Sequence, residues 1–118
     1  MIKVARSQIH GRGVFATRTI QRGSVVDRGF VVPFGEEDGG QGGLIDRYAF
    51  EYDATRRCLV LGVASLCNHT EEPNVEIEIN DQAGTYRLMV TKPIRRGEEL
   101  LIDYGSEYWE QPGLSRGG

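Results

Sequence analysis

Apolar residues in this chain come in short bursts separated by turn-forming residues. Val14-Phe15-Ala16, Val25-Val26, Phe30-Val31-Val32, Leu59-Val60-Leu61, Val75-Glu76-Ile77-Glu78-Ile79, Tyr86-Arg87-Leu88-Met89-Val90 and Leu100-Leu101-Ile102 are rich in β-branched or apolar residues, with Gly, Pro or Asn between them. That rhythm predicts short strands. Strict alternation puts Val75, Ile77 and Ile79 on one face and Glu76 and Glu78 on the other, so one face is buried and the other wet. Asn80-Asp81-Gln82-Ala83-Gly84 then reads as a hairpin turn. Residues 35–43, Gly-Glu-Glu-Asp-Gly-Gly-Gln-Gly-Gly, are too polar and glycine-rich to pack. The best helix candidate follows, from Leu44 to Tyr52, where Leu44, Tyr48 and Glu51, or Ile45 and Tyr52, fall near helical spacing. The expected fold is mainly β, made of small sheets with one short helix.

One pattern occurs twice. Thr17-Arg18-Thr19-Ile20-Gln21-Arg22-Gly23 and Thr91-Lys92-Pro93-Ile94-Arg95-Arg96-Gly97 share Thr, basic, any, Ile, any, Arg, Gly. Each precedes a strand-like run. We read both as strand–turn–strand corners, with Ile as anchor and Gly at a positive φ, rather than as a duplicated binding site.

Length and composition narrow the class. At 118 residues the chain makes one domain with one modest core, so a functional site must share residues with that core. Sixteen glycines and four prolines agree with many turns. A net charge of -3 argues against a nucleic-acid binder working through a general basic surface, yet leaves room for a lysine-rich protein tail as partner. Cys58, Cys67, His10 and His69 lack the grouping of a metal cluster, and the two cysteines read as reduced, partly buried thiols. The first residues show no secretory apolar run, and no stretch is long enough to cross a bilayer. The expectation is an intracellular, soluble protein without a metal.

Three patches could carry chemistry. His10-Gly11-Arg12-Gly13 brackets one residue with two glycines ahead of an apolar strand, where backbone can approach a ligand closely. It lacks the Lys-Ser/Thr of a phosphate loop and the third Gly of a dinucleotide fingerprint. Ser65 to Asn74 places Asn68 beside His69 and then a Pro73-Asn74 turn; an amide there can donate and accept at once. Gly97-Glu98-Glu99-Leu100 leads through Leu101, Ile102 and Asp103 to Tyr104-Gly105. Taken singly, each is also what a tight turn or a packed tyrosine would look like.

Together, in this order, the patches resemble the SET-domain lysine methyltransferases. The family pattern is a Gly-x-Gly, here Gly11-Arg12-Gly13; Asn-His-Ser with Pro-Asn, here Asn68-His69-Thr70 and Pro73-Asn74; and Gly-Glu-Glu-Leu with Tyr-Gly, here Gly97–Leu100 and Tyr104-Gly105. The resemblance runs from about residue 3 to residue 109, and is strongest to the minimal viral SET proteins, which end in a Tyr-Trp pair, here Tyr108-Trp109. It implies a SET-domain (β-clip-like) fold over residues 1–109, a C-terminal pseudoknot, and a flexible tail over 110–118. It also implies S-adenosylmethionine as methyl donor, with S-adenosylhomocysteine as product and a protein or peptide lysine as acceptor. By analogy Gly11, Arg12, Gly13, Asn68, His69 and Tyr104 contact the cofactor, and Tyr104 is the catalytic residue. Tyr48, Ile102, Tyr108 and Trp109 are candidates for the lysine channel, since aromatic faces receive ammonium groups. Ile102 stands where relatives that limit methylation carry Tyr, so addition of more than one methyl group is expected.

The implied chemistry is an in-line displacement, in which alignment matters most. The lysine must first lose a proton held with a reference pKa of about 10.4, helped by desolvation and a neighbouring sulfonium. A tyrosine with a pKa near 10 is a poor base at neutral pH, so Tyr104 is expected to position and stabilise rather than to abstract. Thr70 replaces the usual Ser, and Arg12 stands where many members carry a large apolar residue. The cysteine-rich flanks of histone-modifying relatives are missing from this sequence, which leaves the substrate open: a histone tail, implying the nucleus, or another protein, implying the cytoplasm. A bare domain is expected to compensate by forming a homodimer. The rival reading is a catalytically weak SET-fold module that binds a lysine-containing peptide.

Overall fold

The computed structural model describes residues 1–35 and 48–104. Among the described residues nine strands form two sheets: β1 (Ile2–Arg6), β2 (Arg12–Ala16), β3 (Val25–Phe34), β4 (Ala49–Glu51), β5 (Arg57–Val60), β6 (Asn68–His69), β7 (Val75–Asn80), β8 (Thr85–Val90) and β9 (Glu99–Ile102). The strand order is β1-β2-β9-β6 in one sheet and β4-β5-β3-β8-β7 in the other. The Val63–Leu66 segment is a 3₁₀-helix between β5 and β6. Val14, Ile20, Leu88, Val90, Ile94 and Leu100 are among the core residues, all almost fully buried.

Every predicted strand exists, although two of them are one. Val25-Val26 and Phe30–Val32 belong to the single strand β3, which has a register shift between Val25 and Asp27. Gly29 looked like a break, but it lies in mid-strand because the Tyr86 ring crosses it. A Cβ at Gly29 would sit 2.9 Å from Tyr86 Cε1. The hairpin after β7 forms as expected: Asn80 Oδ1 accepts from the amides of Gln82 and Ala83, and Gly84 closes the turn at φ 70.

The helix expected over 44–52 is corrected where it is described. Residues 49–51 form β4, pairing Ala49 with Leu59, Phe50 with Cys58 and Glu51 with Arg57. Pairing with β5 and packing of Phe50 against the core outweigh a weak helical spacing. Residues 44–47 lie outside the described residues.

The two copies of the repeated pattern meet each other. Ile20 and Ile94 exchange backbone hydrogen bonds at 2.8 and 2.9 Å, and both side chains are buried. Gly23 N donates to Val90 O while Gly97 N donates to Ala16 O, each at 2.8 Å. Both glycines hold nearly the same positive φ, 88 and 89. The corners therefore clasp in a two-fold manner, launching β3 from one and β9 from the other. The corner reading of this pattern holds, and its effect is to bring β9 alongside β2.

Candidate active site

Four stretches distant in sequence converge where β9 runs between β2 and β6. β9 pairs antiparallel with β2 and parallel with β6, so that Asn68 faces Leu101 and His69 faces Ile102 in register. Leu100 and Ile102 point into the core, which leaves Glu99 on the opposite side of the alternation. Ahead of β2, Ser7 N donates to Gly11 O, and Gly11 adopts φ 48, folding residues 7–11 into a tight loop.

Asn68 is the hub of this region. It is the one buried polar residue among those described, 5% exposed. Its amide nitrogen lies 3.0 Å from His10 O, 3.3 Å from Arg12 O and 2.8 Å from Glu99 Oε2. The other carboxylate oxygen of Glu99 accepts from the Ser7 hydroxyl at 2.8 Å. Two amide hydrogens thus serve three acceptors, and the surrounding wall is rich in lone pairs. Gly13 is required by proximity: a Cβ there would stand 2.2 Å from Glu99 Oε2 and 3.2 Å from the Asn68 amide nitrogen.

Beside this hub, Tyr104 is fixed at both ends. Its backbone N–H donates to His69 Nδ1 at 3.0 Å, and its hydroxyl donates to Cys67 O at 2.9 Å. The two rings lie 5.1 Å apart, tilted by 46°. Since Nδ1 accepts here, the His69 ring orientation is set by the backbone of the residue it packs against. Asn74 secures β9 from the other side. Its amide donates to Glu99 O at 2.9 Å, and its oxygen accepts from Leu101 N at 2.8 Å. One side chain thus does the work of a strand partner.

Of the sequence-selected residues, Gly11, Arg12, Gly13, Asn68, His69 and Tyr104 come together. Ile102 lies at the end of β9, 3% exposed and part of the core. Tyr48 stands half-exposed in the turn just before β4, a strand of the other sheet. Tyr108 and Trp109 lie outside the described residues. The sequence pattern gave no sign of Ser7, and Asn74 and Glu99 figured in it only as members of motifs. A charged residue opening an apolar strand was the one available signal for Glu99. Both cysteines are buried free thiols. Desolvation pushes Cys58 up to about 11 and Cys67 up to about 12. No three His, Cys, Asp or Glu side chains among the described residues are grouped to hold a metal ion.

Two sheets clasped around a β9 that joins Asn68 to the Gly11–Gly13 loop define a SET domain, and residues 11–105 match the family model of that description. The chain belongs to the SET-domain family. It is 27% identical over 111 residues to a Schizosaccharomyces pombe histone-lysine N-methyltransferase specific for H3 lysine-37, covering 92% of this chain and 76% of that protein. A Plasmodium falciparum crystal structure, of a protein designated a candidate histone methyltransferase, superposes with a TM-score of 0.73 at 27% identity. That match covers 92% of this chain and 96% of the other. A humanized mutant of the Chaetomium thermophilum Polycomb Repressive Complex 2 bound to the inhibitor GSK126 also gives a TM-score of 0.73, at 21% identity. That likeness covers 98% of this chain and 16% of the other, and concerns the fold alone.

Proposed function

We propose that this chain transfers methyl groups from S-adenosylmethionine to lysine side chains of a protein substrate. The observation that carries this reading is the single hydrogen-bonded cluster of His10, Arg12, Asn68 and Glu99, with His69 and Tyr104 beside it. Family membership and the yeast relative support it.

The residues suit the cofactor by their chemistry. Two backbone carbonyls and a carboxylate converge on the Asn68 amide, a concentration of acceptors that favours a cationic ammonium over an anion. Arg12, exposed at the start of β2, supplies the opposite charge for a carboxylate. In this reading the Gly11–Gly13 loop and Asn68 hold the methionyl end, and the His69 backbone holds the adenine. When bound, S-adenosylmethionine supplies an electrophilic methyl group.

The chain's own task is alignment and proton control. The Tyr104 hydroxyl, held on Cys67 O, presents its oxygen lone pairs in a fixed direction. A fixed dipole costs no reorganisation during reaction, which is how such groups accelerate transfer. A lysine entering a dry site loses its proton more readily, because desolvation disfavours the ammonium form. No strong protein base is then required.

The yeast relative makes histone H3 the first substrate to test, and with it a nuclear location. Threading of the C-terminal segment as a pseudoknot belongs to the same proposal, supported by the position of β9 between β2 and β6. So does a homodimer that completes the substrate groove, which sedimentation at rising concentration would reveal. No helix among the described residues is long and apolar enough to cross a membrane.

The test is incubation with labelled S-adenosylmethionine and purified histone H3, followed by mass spectrometry. Label on lysine that disappears in Tyr104→Phe is expected. No transfer to H3 or to lysate proteins, with no binding of S-adenosylhomocysteine at millimolar concentration, would overturn the proposal.

A further inference from the structure

A second polar pair lies against the Val63–Leu66 helix. Asp27 Oδ2, on β3, accepts from the Tyr86 hydroxyl of β8 at 2.6 Å and from Ala64 N at 3.2 Å. Ala64 is fully buried and Tyr86 is 3% exposed. Two glycines make room for the ring. A Cβ at Gly62 would sit 1.8 Å from the Tyr86 oxygen, and one at Gly29 would sit 2.9 Å from Cε1. Gly62 has an ordinary extended backbone, so closeness of the ring is what requires glycine there. Burial, and then the bond to Asp27, push the Tyr86 phenol above its ordinary value, so it remains a donor at neutral pH.

From this pair an unbroken series of bonds leads to Tyr104. Asp27 holds Ala64 N. Ala64 O accepts from Cys67 N at 3.2 Å, and Cys67 O accepts from the Tyr104 hydroxyl at 2.9 Å. Asn68 follows directly. The short helix has no side-chain cap of its own, so Asp27 supplies from another strand what the local sequence does not.

We infer that Asp27 and Tyr86 are positioning residues for the Tyr104 hydroxyl, acting through the Val63–Leu66 helix and the Cys67 carbonyl. Neither is among the residues proposed above to hold the cofactor or the lysine. Their effect on turnover rests on the methyltransferase reading; their effect on the Tyr104 hydroxyl does not.

The experiment uses the full chain isotope-labelled at tyrosine Cζ. There are five tyrosines, and the Tyr104→Phe spectrum assigns the Tyr104 resonance. In Asp27→Ala the Tyr104 resonance moves and the Cys67 amide exchanges about tenfold faster. Turnover on histone H3 falls about tenfold while affinity for S-adenosylhomocysteine stays within about twofold. Asp27→Asn keeps an acceptor oxygen and restores most of both readouts. Leu88→Ala, a core loss in the same sheet, lowers the melting temperature without moving the Tyr104 resonance. Should Asp27→Ala not fold, Tyr86→Phe and Asp27→Asn carry the same comparison. A Tyr104 resonance unmoved in folded Asp27→Ala or Tyr86→Phe overturns the inference, as does an equal movement in Leu88→Ala. Absence of H3 methylation by the wild-type chain would count against the functional reading alone, because the resonance and the amide exchange still decide the positioning role.

Discussion

The Asn68 amide donates to the Glu99 carboxylate at 2.8 Å, across 31 residues of sequence, and this bond ties β6 to the start of β9. Because Glu99 also holds Ser7, one carboxylate joins three parts of the chain. In the proposed reading, removing its charge loosens the wall that would face the cofactor. Glu99→Gln should weaken S-adenosylhomocysteine binding about tenfold or more, the usual cost of losing a hydrogen bond to a charged group. Gly13→Ala should act in the same direction, since its Cβ would displace that carboxylate. Calorimetric titration of both variants measures the effect, and unchanged affinity in Glu99→Gln would remove Glu99 from the cofactor wall.

Tyr104→Phe removes one hydroxyl and leaves the ring packed beside His69. Turnover should fall about a hundredfold, the scale seen when a single positioned dipole is removed. Cofactor affinity should change by no more than about twofold. Single-turnover rates beside calorimetry separate the two effects, and an equal loss in both would assign the hydroxyl to binding.

Asn74 makes two hydrogen bonds to the β9 backbone, through opposite ends of its amide. Asn74→Ala should cost about 2 kcal/mol of stability, roughly 1 per bond. Asn74→Asp keeps the acceptor for Leu101 N but sets a carboxylate oxygen against the Glu99 carbonyl oxygen, and should cost at least as much as Asn74→Ala. Urea denaturation of the three proteins orders them.

The buried thiols set a pH dependence. Both have folded values above their ordinary one of 9.0, at about 11 for Cys58 and about 12 for Cys67. The unfolded chain therefore gives up these protons first as pH rises. Their contribution is intact below about pH 9 and is lost progressively above it, up to the folded values. Denaturation midpoints from pH 8 to 11 should decline, and Cys67→Ala should flatten part of that slope. Alkylation of the native protein at pH 7.5 should be slow, and unfolding should release it.

The local pattern determined most of the secondary structure. Alternation over 75–79 and the Asn80–Gly84 turn are short-range devices, legible because side-chain period and turn chemistry depend only on near neighbours. The repeated Thr…Ile…Gly pattern likewise showed two corners, but not that Ile20 and Ile94 would bond to each other. Residues 49–51 deceived local reading because β5 supplied their partners. Gly29 did so because Tyr86, distant in sequence, fills the space a side chain would take. The site itself was legible only as an ordered set of motifs resembling one family. That Glu99 meets Asn68, that Asn74 serves as a strand partner, and that Asp27 caps a helix from another strand were decided by the tertiary structure alone. Hydrogen bonds between groups dozens of residues apart leave no periodic trace in a sequence, since each partner's residue type satisfies many other surroundings equally well.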